Sequence, residues 1–195
     1  MSKVFVLVLI VSAVAAAQEV DPPRDSMNFF IGAGAWMPGL INDDNQLEVG
    51  SIFLAGAETP MAQGDQFRLS ISGGFCNSDR EQFDGITSVM LNLGYRNYPF
   101  YRPYAGARGL EPFVGFSAGG IVAWDSVADA FSSTEESTST GGAMLGAELG
   151  ARVKINESTF FDITLAGDWV PIGGELAGEG EKDLSSIRIQ GSLIF

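Results

Sequence analysis

Apolar and polar residues alternate with a period of two along much of this chain, which predicts strands with one face in an apolar environment. The first such run spans about Met27 to Met37, with Phe29, Ile31, Ala33 and Ala35 on one face. A second covers about Leu47 to Ala57, where Leu47, Val49, Phe53 and Ala55 alternate with Glu48, Gly50 and Gly56. The third is the clearest: Phe67, Leu69, Ile71 and Phe75 are set against Arg68, Ser70, Ser72 and Cys76. In the fourth, Val89, Leu91, Leu93 and Tyr95 oppose Ser88, Asn92, Gly94 and Arg96. Pro112, Val114, Phe116, Ala118, Val122 and Trp124 make the apolar face of a fifth, whose other face is mostly Gly115, Ser117 and Gly119. The sixth sets Leu145, Ala147, Leu149, Val153 and Ile155 against Gly146, Glu148, Gly150, Arg152 and Lys154. Phe161, Ile163, Leu165 and Trp169 oppose Asp162, Thr164 and Asp168 in the seventh; Ile187, Ile189, Leu193 and Phe195 oppose Arg188, Gln190 and Ser192 in the eighth. Strands of about ten residues suit a tilted crossing of a bilayer.

The connections differ in character from one to the next. Pro38 to Gln46, Asn77 to Gln82, Asp125 to Thr140 and Pro171 to Asp183 are polar, mostly acidic, and form one set. Pro60 to Gly64, Pro99 to Leu110 and the tight Asn156-Glu157 turn form the other, so the pattern predicts an up-and-down barrel with both chain ends on one side. Ahead of the strands, Lys3, the apolar run Val4 to Val14 and the small residues Ala15-Ala16-Ala17 before Gln18 have the form of a cleaved export signal. Fourteen apolar or small residues, Val4 to Ala17, fall short of the roughly 20 that span a bilayer as a helix. The expected division is therefore a signal peptide over 1–17, a short segment over 18–25, and a barrel over 26–195.

Alternation does not say whether the apolar face meets lipid or the core of a soluble barrel. The polar face is dominated by Gly, Ser and Thr with few charges, which suits a narrow filled interior better than a solvated exterior. Trp36, Trp124 and Trp169 fall at one set of strand ends, and Tyr95, Tyr98 and Phe161 at the other, as two aromatic girdles would. Finally, the inward-facing charges balance: Glu48, Glu58, Glu148, Asp162 and Asp168 against Arg68, Arg96, Arg152, Lys154 and Arg188. Balance is what a low-dielectric interior requires, because an unpaired buried charge costs several kcal/mol.

The net charge of −13, or −14 once Lys3 leaves with the leader, repels nucleic acid and resides in the acidic connections. With no histidine in the chain, Ser-His-Asp and Cys-His sites and histidine-ligated zinc are excluded, which argues against an enzyme. The lumen carboxylates Glu148, Asp162 and Asp168 have the chemistry for an acid/base pair, but a salt-bridged structural role suits them better. Cys76 lacks a neighbouring base and reads as a small inert residue. The Asn42-Asp43-Asp44-Asn45 run and the Glu175 to Asp183 stretch offer oxygen ligands for divalent cations without EF-hand spacing, so solvated loops are the default and no metal or cofactor is expected.

Glu111-Pro112-Phe113-Val114-Gly115-Phe116-Ser117-Ala118-Gly119-Gly120 resembles the Pro-Tyr-Val-Gly-small-Gly strand of the OmpA/OmpX-like small outer-membrane β-barrels, with Phe113 in the place of the usual tyrosine. Together with the leader and the terminal aromatic, the resemblance covers the chain after the leader and is to the barrel alone, without a peptidoglycan-binding domain. It implies an all-β, eight-stranded antiparallel transmembrane barrel in the outer membrane. It further implies that Ile187, Ile189, Leu193 and Phe195 form the signal read by the barrel-assembly machinery. The partners implied are outer-membrane lipid, lipopolysaccharide and, through the loops, host or surface ligands. The leading expectation is a non-enzymatic scaffold with acidic surface loops for envelope integrity, adhesion or surface binding. One alternative is a narrow channel or small hydrophobic-molecule transporter of the OmpW type; another is a secreted, soluble, lipocalin-like barrel.

Overall fold

The computed structural model describes residues 27–39, 47–61, 65–77, 85–100, 110–126, 139–156, 158–170 and 184–195. The leader, the segment over 18–25 and both candidate cation-binding loops lie outside the described residues. Eight strands form a closed antiparallel barrel in sequence order: β1 (Asn28–Pro38), β2 (Gly50–Pro60), β3 (Gln66–Asn77), β4 (Gly85–Asn97), β5 (Leu110–Ser126), β6 (Ser139–Asn156), β7 (Thr159–Trp169) and β8 (Ser186–Ile194). Closure comes from β1 against β8, in register from Phe30↔Ile194 to Pro38↔Ser186. Phe29 and Phe195 extend that ladder, each N–H donating to the other's carbonyl at 2.9 Å. A closed sheet leaves no edge strand, so each strand pairs with a neighbour on both sides over the shared height of the wall.

Burial along the strands is inverted relative to a soluble protein. Ile31, Phe53, Leu69, Ile71, Leu91, Leu93, Phe116, Leu145, Leu149 and Ile189 are exposed, all on the outward face. Buried instead are Asn28, Glu58, Arg68, Asn92, Arg96, Arg152, Asp162, Thr164, Asp168, Arg188 and Gln190. A continuous apolar outside around a polar inside is favourable only where hydrocarbon replaces water. The apolar face therefore points to lipid, and a soluble lipocalin-like barrel would need the opposite arrangement.

Local chemistry explains two details of the wall. At the tight β6–β7 connection the register shifts between Lys154 and Asn156, and the Asn156 side chain accepts from the Ser158 N–H at 2.9 Å, an Asx turn that reverses the chain. Gly85 opens β4 with φ +146°, where an added Cβ would run into the backbone of Cys76 and Asn77. Strand β6 also begins earlier than the alternation suggests, at Ser139, because Ser139 to Ala143 pair with β5 across Trp124 to Gly120 despite the poor strand propensity of Gly141 and Gly142.

Candidate functional site

Among the described residues the charged groups gather in the interior, which is layered along the barrel axis. Strands that rise from the end carrying the chain termini and strands that return to it bring Glu58, Arg68, Arg96, Arg152 and Asp162 to that terminal end, with Glu148 just above. Asp162, fully buried, is the hub. It accepts from Arg96 Nη1 at 2.6 Å and from Arg152 Nε and Nη2 at 2.8 and 2.9 Å, while Arg68 Nη1 stands 3.8 Å away. Arg96 also forks onto Glu148, with Nε to Oε1 at 2.5 Å and Nη2 to Oε2 at 3.1 Å. Arg152 reaches across the lumen to Glu58, 3.0 Å from Nη2 to Oε2. Three guanidinium groups thus share three carboxylates, so the cluster is neutral. A fourth pair, Arg188 with Asp168, is separate from it, with Nη2 to Oδ1 at 2.8 Å.

Aromatic rings support the guanidinium planes, and glycines make room for the rings. Phe30 lies so close over Gly56 that its Cζ is 2.5 Å from where a Cβ would stand, and Arg68 stacks on the ring at 3.5 Å. The same arrangement recurs with Phe113 over Gly150, also at 2.5 Å, and Arg96 on the ring at 4.1 Å. Arg152 sits over Tyr98 and Phe160 at 5.4 and 5.6 Å, and Tyr98 Oη donates to Gln66 Oε1 at 3.1 Å. Cation–π stacking of desolvated guanidinium is worth about 2 kcal/mol per contact, which offsets part of the cost of burying it.

The distal end of the lumen is different in kind. Trp36, Ile52, Cys76, Ile86, Met90, Ile121, Ala123, Met144, Val170 and Leu184 close it as one apolar cluster. Between this layer and the charged one lies a polar chamber of about 20 Å³, lined among others by Arg68, Ser72, Asn92, Glu148, Arg188 and Gln190.

Nine of the ten expected interior charges lie inside: Glu58, Arg68, Arg96, Glu148, Arg152, Lys154, Asp162, Asp168 and Arg188. Glu48 does not. It is exposed, because β2 begins at Gly50 and Glu48 precedes the strand. Two girdle residues also need correction. Trp36 is fully buried in the distal layer and Tyr98 is 4 % exposed beneath the charged cluster, since each lies on the inward-facing parity of its strand or just beyond its end. Trp124 and Trp169 face outward at the distal end, Tyr95 and Phe161 outward near the terminal end. Ile187, Ile189, Leu193 and Phe195 share the outward face of β8 and the residue after it. Glu111, which pairs in register with Arg152, is missing from the expected interior charges because β5 begins at Leu110, two residues before the Pro112 at which the alternation starts. Sequence reasoning also passed over Asp65, which receives Tyr95 Oη and Asn97 Nδ2, each at 2.6 Å.

Glu148, Asp162 and Asp168 are each held by an arginine, and among the described residues no group of three metal-ligating side chains comes together. No known family matches the chain by its sequence, and no curated protein does. Solved structures do match. Neisserial surface protein A has a TM-score of 0.65 at 8% identity, over 86% of this chain and 95% of that one. The likeness is one of fold. Ail, the attachment invasion locus protein of Yersinia pestis, has a TM-score of 0.50 at 11% identity, over 87% of this chain and 97% of that one.

Proposed function

We infer that the protein is a non-enzymatic barrel of an outer membrane, exported through a cleaved leader over 1–17, whose lumen is structural and whose work is done by what it holds outside. The filled lumen carries this reading. An ion-paired layer closes one end, an apolar layer closes the other, and the chamber between them is about 20 Å³. A conducting pore needs a continuous wetted path, and eight strands leave room only for side chains. That weighs against the narrow-channel and hydrophobic-molecule-transport readings.

Support for surface binding comes from the wall. The β6–β7 ladder ends at Leu145↔Trp169, so among the described residues Ser139 to Met144 have a strand partner on the β5 side alone. The β5–β6 hairpin thereby stands about 20 Å of strand beyond β7 at roughly 3.3 Å per residue. The polar, partly acidic sequence over 127–138 joins these two strands and is the stretch assigned to contact with lipopolysaccharide, a host surface or a neighbouring cell. Phe195 and the outward residues of β8 fit a role as the segment the assembly machinery engages.

The test has two arms. Purified protein in planar bilayers is expected to give no conductance steps, and cells displaying a chain shortened over 127–138 are expected to lose adhesion while the barrel still inserts. Steady single-channel currents, or adhesion unchanged by the deletion, would overturn the reading.

A further inference from the structure

Several polar atoms facing the mid-lumen chamber have no hydrogen-bond partner among the described residues: Ser72 Oγ, Asn92 Oδ1, Gln190 Oε1 and Arg68 Nη1. Their residues are 3 %, 5 %, 5 % and 5 % exposed. They come from three strands, β3, β4 and β8, and meet at one cavity. Leaving such groups unsatisfied costs about 1–3 kcal/mol each, more for the charged one. Arg68 is the least satisfied cation of the cluster, with a 3.5 Å contact to Ser192 Oγ and a carboxylate at 3.8 Å as its polar neighbours.

We propose that the chamber is a built binding site for one water molecule, which donates to Asn92 Oδ1 and Gln190 Oε1 and accepts from Arg68 Nη1 and the Ser72 hydroxyl. Two acceptors, one donor and one hydroxyl that can do either are the complement of a four-coordinate water. The volume agrees: about 20 Å³ exceeds the 10–15 Å³ that one water needs. An ion fits less well. A cation would face the Arg68 and Arg188 guanidinium groups, and an anion would face Glu148 and both amide oxygens. The neutral count of the charged cluster leaves no residual charge for either to cancel. Bound there, the water ties Arg68 to β4, which its own side-chain contacts do not reach, and adds a second link to β8 beside the long Ser192 contact.

A high-resolution crystal structure of the barrel is expected to show a density peak within about 2.7–3.2 Å of Ser72 Oγ, Asn92 and Gln190. Crystals soaked in bromide are expected to show no anomalous signal in the chamber. In detergent micelles, magnetisation from a long-lived water should reach the Asn92 and Gln190 side-chain amide protons. Asn92→Leu, with folding checked by heat-modifiable gel mobility, should abolish the peak and the transfer. A dry chamber in the unaltered protein, a bromide peak at the site, or transfer that survives Asn92→Leu overturns the proposal. The unaltered protein decides the matter even where the variant does not fold.

Discussion

Replacing Asp162 by alanine removes the acceptor of three charge-assisted hydrogen bonds from two fully or nearly fully buried guanidinium groups, and strands Arg68 as well. At about 1.5–3 kcal/mol for each bond to a charged group, the sum of the lost bonds has an upper bound near 5–9 kcal/mol. Relaxation of Arg96 towards Glu148 and of Arg152 towards Glu58, and entry of water, reduce this to about 3–5 kcal/mol, the usual cost of breaking a buried ion pair from one side. Urea unfolding in lipid vesicles, followed by the fluorescence of lipid-facing Trp124 and Trp169, measures it. Asp168→Ala is the control: Asp168 serves one arginine, Arg188, beside a long hydrogen bond from the Ser186 hydroxyl at 3.4 Å, so a smaller loss of about 1.5–3 kcal/mol is expected. Charge counting makes a further demand. In D162N/R68M, two arginines face two carboxylates again, so the second change should recover stability, with a coupling of about 0.5–3 kcal/mol. A loss below about 1 kcal/mol for Asp162→Ala, equal losses for Asp162→Ala and Asp168→Ala, or strict additivity in the double variant would each refute the reasoning.

Gly150→Ala drives a methyl group against the Ile163 carbonyl oxygen, 2.3 Å from where its Cβ would stand, as well as against the Phe113 ring at 2.5 Å, and should destabilise the barrel by about 1–3 kcal/mol in the same unfolding assay, with Phe113→Leu leaving much of the loss in place because it relieves the ring contact alone. Leu91→Arg puts a charge on the lipid face and should cost about 2–4 kcal/mol in vesicles, with insertion yield as a second readout. Phe195→Ala keeps the backbone bonds to Phe29 intact, so it should lower the amount of barrel assembled in cells while leaving the unfolding midpoint of assembled protein nearly unchanged; equal assembly would count against an assembly role.

Strand number and the facing of each strand were legible because alternation is a local property, and the closed sheet preserves it. Trp36 and Tyr98 were misplaced for want of one step: Trp36 shares parity with Phe30 and Tyr98 with Arg96, both of which point inward. The distal apolar layer also left a trace, in places where alternation gives way to continuous apolar runs. Ile52-Phe53-Leu54, Val89-Met90-Leu91 and Ile121-Val122 are apolar on both faces, one for lipid and one for the lumen. The ion pairing was not legible. Glu58 meets Arg152 across 94 positions of chain, and Arg96 meets Asp162 across 66, so their meeting depends on closure and shear, which no local pattern encodes.

Those long separations bear on how the barrel can be made. The first four strands carry Arg68 and Arg96 into the wall together with a single carboxylate, Glu58, whose partner Arg152 is on β6. Arg96 obtains both of its own partners, Glu148 and Asp162, from β6 and β7. A half-built sheet would therefore leave these guanidinium groups without their carboxylate partners. Neutrality of the cluster arrives only with β6 and β7, so the route into the membrane has to shelter the open sheet until those strands are in place.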